Sequence, residues 1–158
     1  MSDALTALTV VTALGCALNG GVFFAFSTFV MQGLGRLAPS QGVAAMQAIN
    51  ITAITFAFMT ALFGTAALCL AVAVWALVDW QGDVSPYLLA GAVLYLAGNI
   101  AVTGAYNVPR NNALAALDPD DPGSAAYWQR YLREWTAANH VRTVTGLAAA
   151  ALLMLALL

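Results

Sequence analysis

The sequence predicts an all-α protein, an antiparallel four-helix transmembrane bundle with a polar, partly helical link between helices 3 and 4. Three observations carry this. Of 158 residues, 62% are hydrophobic and 8% charged, against about 25% charged in a typical soluble domain. Five basic and seven acidic side chains cannot coat the wet surface a soluble chain of this size presents. Four stretches also reach the ~20 apolar residues that cross a bilayer's hydrocarbon core. They are too long and uniform for the alternating strands of a barrel, so their backbone polar groups must be satisfied within helices. Short links then make sequential helices antiparallel, and residues 1–158 read as a single integral membrane domain.

The first span covers about 5–31 and contains no charge. It is too long for a signal-peptide core and lacks a basic lead, so it reads as a retained helix. In the link that follows, Pro39 disfavours helix at Ala38, and Pro39 or Ser40 opens a short amphipathic helix. The second span covers about 51–78, and "VDWQGDVSP" after it is a turn. The third covers about 86–106. Beyond it, Pro109 suits the first turn of a short helix over 109–117, and "DPDDPG" is a turn cluster. Asp118, Asp120 and Asp121 are turn residues there, without the spacing of a calcium loop. Ser124 would cap a helix running into the fourth span, about 139–158. Such a helix is about 50 Å long, so its first turns lie outside the hydrocarbon.

There is no Lys, and all five arginines fall in or beside links 1 and 3. With four spans, the positive-inside rule puts those links in the cytoplasm and both termini outside. No basic cluster suits a nucleic acid, which is not an expected partner. Cys16 and Cys69 sit in apolar runs and read as two buried thiols rather than a redox pair.

Polar residues in a membrane helix rarely face lipid. In the third span Tyr95, Asn99, Thr103 and Tyr106 or Asn107 recur at spacings of three and four, so they share one face. Trp135, Asn139, Arg142 and Gly146 do the same in the fourth. Asn19, Ser27 and the run Asn50, Thr52, Thr55 and Thr60 read first as interhelical glue. The stretch "YNVPRNNALAALDP" (106–119) adds Asn107, Arg110, Asn111 and Asn112 at the end towards which both stripes become more polar. These groups are expected to converge with His140 on one mouth of the bundle. His140, the single histidine, cannot make a multi-ligand metal set. It reads either as a hydrogen-bonded membrane-edge residue or as a general base titrating near neutrality. Arg142 either snorkels to headgroups or faces inward with a partner. Arg130 and Glu134, one turn apart, read as a surface ion pair. Tyr127, Trp128, Tyr131 and Trp135 read first as an interfacial aromatic belt, and second as a stacking wall.

On "GGVFFAFSTFVMQGLGRL", "AAMQAIN", "NVPRNNALAALDP" and "YWQRYLREWTAANHVRT", in that order along nearly the whole chain, the sequence resembles the anthrone oxygenase-like family of small membrane proteins, its bacterial members most closely. The resemblance implies a bacterial cytoplasmic membrane. It also implies oxidation of an anthrone to an anthraquinone by molecular oxygen, with no metal or other cofactor. Carried onto this chain, it implies His140 as base, with Arg142, Asn107 and Asn111 as oxyanion donors. Asn112, Arg110, Trp135, Asn139, Thr143, Asn99 and Thr103 would bind substrate. Arg110 departs from the family's usual apolar residue after the proline. The expected partners are the lipid bilayer, a small hydrophobic aromatic ligand and, as an open alternative, further copies in a homo-oligomer. The competing reading is a non-enzymatic membrane module that binds a lipid, a quinone-like ligand or a protein. A transporter is less favoured, because no pair of broken helices stands out.

Overall fold

The computed structural model describes residues 2–158 and, among them, contains helices and no strands. Five helices are present. Helix α1 spans Asp3–Leu34, opened by Ser2, whose hydroxyl accepts from the Leu5 N–H. Helix α2 spans Pro39–Thr52 behind an extended Ala38, as the proline requires. Helix α3 spans Phe56–Val78, α4 spans Val84–Ala115 and α5 spans Ser124–Leu155.

Three boundaries differ from expectation, each for a local reason. The second span begins at Phe56, not 51. The Thr52 hydroxyl donates back to the carbonyls of Ala48 and Ile49 as α2 ends, and Thr55 caps α3 by accepting from the Phe58 N–H. The third helix does not stop at 106. A proline should break it, but π-helical turns at Leu96–Ala101 and Thr103–Asn107 open the hydrogen-bond ladder just before Pro109, and the helix runs on to Ala115. Ser124 does not cap α5: its hydroxyl donates to the Asp118 carbonyl at 2.6 Å.

Helices α1, α3 and α4 are long and apolar enough to cross a membrane. Asn139, His140 and Arg142 dilute the apolar half of α5, which is not among them. It packs along α1 and α4, while α3 packs against α1 and α4. The outer surface carries exposed Leu14, Phe24, Phe29, Phe56, Leu77 and Val144. So many large exposed apolar side chains on helices of this length and hydropathy suit a bilayer as solvent.

The interior holds two apolar cores. One, at the end formed by the start of α1 and the end of α5, contains Leu5, Cys16, Cys69, Leu88, Tyr95 and Leu153. The two cysteines are free and buried, as expected, with Sγ atoms 3.9 Å apart. The other core contains Met31, Val43, Met46, Leu114, Trp128, Tyr131 and Trp135. Here α2 lies over the beginning of α5. Gly42 sits on the Trp128 ring, where a Cβ would come within 2.7 Å. Gln47 of α2 donates to the Leu114 and Leu117 carbonyls at 2.9 and 3.0 Å, satisfying the C-terminal end of α4. Between the two cores lies a polar layer.

Candidate functional site

Arg142 is the centre of that layer. It is 5% exposed, and no carboxylate pairs with it: the single ion pair among the described residues joins Arg110 to Glu134. Its guanidinium lies over the rings of Phe23, at 4.1 Å, and Trp135, at 5.1 Å. It donates to Thr103 Oγ1 at 3.1 Å and to Asn139 Oδ1. Asn139 in turn donates to the Phe23 carbonyl and to Ser27 Oγ, both at 2.7 Å. Thr143 donates to the Asn139 carbonyl and lies 3.4 Å from Ser27 Oγ.

The neighbouring asparagines extend the layer. Asn107 donates to the Trp135 carbonyl at 3.3 Å, and Asn99 to Thr145 Oγ1 at 3.2 Å. Asn111 Oδ1 accepts from Tyr131 Oη and Trp135 Nε1, both at 2.8 Å, and so fixes two aromatic rings. Burial holds the Tyr131 phenol above its usual pKa, so it remains a donor. Arg142 Nε, Asn107 Oδ1 and Asn99 Oδ1 are buried without a protein partner. Ser27, Asn99, Thr103 and Asn107 all stand on π-helical turns, of α1 or α4. Such turns re-aim side chains and recur at functional sites.

The expected convergence is met in part. Arg142, Asn107, Asn139, Thr143, Thr103, Asn99 and Trp135 share the layer, with Asn111 at its edge. His140 does not join them. It is exposed and lines a groove on the other side of the α1–α5 seam. Residues two apart on a helix point in nearly opposite directions, so His140 and Arg142 cannot face one point. Asn112 is exposed. Arg110 pairs with Glu134 at 3.0 Å and stacks on Tyr106, which replaces the expected Arg130–Glu134 pair. The aromatic belt is also corrected. Trp128, Tyr131 and Trp135 point inward and stack on one another within the second apolar core, with centroids 5.7 and 6.1 Å apart. The sequence does not distinguish Phe23, whose ring caps the guanidinium. Nothing in "VFFAF" tells its buried ring from the exposed Phe24.

The anthrone oxygenase family model matches residues 53–152 of the 158. The chain belongs to the anthrone oxygenase family. The matched stretch runs from the start of α3 through most of α5 and contains every polar residue of the layer except Ser27. No curated protein and no solved structure matches the chain. The layer is the polar interior of this anthrone oxygenase family member. It holds a buried guanidinium, its Nε without a protein partner, beside a row of stacked aromatic rings.

Proposed function

We propose that the protein oxidises a small aromatic, polyketide-like substrate of the anthrone type with molecular oxygen and without a cofactor. Arg142 would receive the substrate oxyanion. The observation that supports this most is the buried guanidinium with no carboxylate beside it. An unpaired charge in such a place is costly, and a ligand that supplies the counter-charge explains its retention. Loss of the acidic C–H proton to water gives an aromatic phenolate-like anion, and Arg142 makes that proton easier to lose. The electron-rich anion adds oxygen, and protonation gives a hydroperoxide. Elimination of water then leaves the new carbonyl, so one oxygen atom enters the product and the other leaves as water. Trp135, held by Asn111, is the surface on which the ring stacks, and the π-helical turns of α1 and α4 are where the helices can part to admit it. No imidazole stands in the layer, so acidification by the cation, rather than a neighbouring His140, is its contribution.

Oxygen uptake by the detergent-purified protein with an anthrone tests this, with 18O2 as label. The expected product carries one 18O atom at the oxidised carbon. A rate equal to that without protein removes the reading in favour of a ligand-binding module, and a chromophore in the protein's own absorption spectrum removes the cofactor-free part.

For topology, we propose that α5 is a fourth span, with links 1 and 3 cytoplasmic and both termini outside. The five arginines at one end support it. Reporter fusions active only outside the membrane should be active at both termini, and activity at one terminus alone overturns it.

A further inference from the structure

A groove of about 550 Å³ runs along the outer side of the α1–α5 seam. Its wall carries Arg36 from the turn after α1 and Arg133 and His140 from α5, with Gln129 and Thr136 between them. Its floor is Ser27 and Met31, both buried. No acidic side chain lines it, and neither Arg36 nor Arg133 forms an ion pair among the described residues. Two arginines therefore face one trough with their charge uncompensated, and the His140 ring adds an N–H donor; that set selects an anion with several acceptor oxygens.

The position of the trough says what carries that anion. Arg36 lies five residues beyond the apolar run that ends at Met31, whereas Ser27 lies inside it. The trough thus descends from the water side into the apolar zone. At its lower end, Phe24 stands one turn before Ser27 and Val144 one turn past His140, exposed by 51% and 65%. A polar, cationic upper part continues into an apolar outer strip, the profile of an anionic head with an acyl chain beneath it. We propose that this groove binds the phosphate of an anionic phospholipid, with Arg36 and Arg133 on the phosphate oxygens and the chain along Phe24 and Val144. Arg142 does not line this groove; the two share only Ser27, which forms part of the groove floor and accepts from Asn139 in the polar layer.

Native mass spectrometry of the whole protein in non-ionic detergent, titrated with phosphatidylglycerol or phosphatidylcholine, tests this. Phosphatidylglycerol should bind at least about tenfold more tightly, and the double variant R36Q/R133Q should lose most of that preference. The single variants should each lose part of it. Arg130→Gln removes the same charge outside the groove and should keep the preference. Equal binding of the two lipids, a preference that survives in R36Q/R133Q, or an equal loss in Arg130→Gln overturns the proposal. Displacement of phosphatidylglycerol by millimolar inorganic phosphate would overturn the lipid assignment, leaving a site for free anions.

Discussion

Arg142→Met is expected to cut anthrone oxidation by orders of magnitude while leaving thermal stability unchanged or improved. The two effects have separate physical sources. In the folded protein the guanidinium has given up water and gained two side-chain acceptors but no countercharge. Placing an arginine inside a membrane helix costs about 2.5–3.5 kcal/mol by the most lenient scale. Methionine is unbranched and apolar, and its thioether packs well on rings such as Phe23 and Trp135. Asn139 keeps its bonds to Phe23 and Ser27, and the buried Asn139 Oδ1, which loses its donor, offsets part of the gain. The sum is within about 1 kcal/mol of zero or favourable, as when buried ionic groups elsewhere are replaced by apolar ones. Activity should fall by about 10²–10³-fold, the usual effect of deleting one oxyanion donor. Arg142→Lys keeps the charge but not the forked donors, so it should fall between the two. Oxygen-uptake rates and melting temperatures in the same detergent read both quantities. A variant that loses activity and stability together would make Arg142 a structural residue. Full activity in Arg142→Met would remove it from the chemistry.

Much of this site was legible in the sequence because helical spacing is a geometric fact. Asn99, Thr103 and Asn107 on α4, and Trp135, Asn139, Arg142 and Gly146 on α5, recur at three and four, and the two stripes do meet. The same rule should have set His140 aside: at 3.6 residues per turn, it points about 200° away from Arg142. Its chemistry suits a base, but its register on α5 does not suit the layer. The aromatic residues show a different limit. Trp128, Tyr131 and Trp135 plainly share a face, but whether that face looks to lipid or to protein depends on where α2 lies. That is decided by the packing of Gly42 on Trp128 and the reach of Gln47 to the end of α4, which are long-range contacts no local pattern encodes. Hydropathy also ran the second span back to Ile51, because it does not register that Thr52 and Thr55 turn their hydroxyls onto the backbone. Glu134 had a cation one turn away on its own helix, but α4 brought Arg110 closer.

Gly146→Leu is expected to be the most damaging single change in the polar layer, although it touches no functional group. A Cβ at position 146 would meet the Gly20 backbone, with Cα at 3.2 Å and N at 3.3 Å, and Asn99 Nδ2 at 3.4 Å. On the other side, a Cβ at Gly20 would lie 3.1 Å from the Leu147 backbone nitrogen. The glycines thus mark a crossing where α1 and α5 touch backbone to backbone, the approach that small residues permit in membranes. A flexible side chain could yield, whereas a helix backbone moves only as a whole. Leucine would force the helices apart and should cost more than about 3 kcal/mol, the upper range for overpacking. Alanine needs only a few tenths of an ångström and should cost about 1 kcal/mol. Gly21→Leu is the control, since nothing lies within 4 Å of a Cβ there. Its melting temperature should stay near that of the parent, and a Gly146→Leu variant that melts with it would refute the close crossing. The consequence reaches the chemistry through geometry. Asn139 is seven residues from Gly146 on α5, and Ser27 is seven from Gly20 on α1, so the crossing sets the 2.7 Å bond between them. That bond orients the amide whose oxygen holds Arg142. Gly146→Ala, folded but with α1 set slightly back, should therefore lose oxidation rate out of proportion to its small loss of stability.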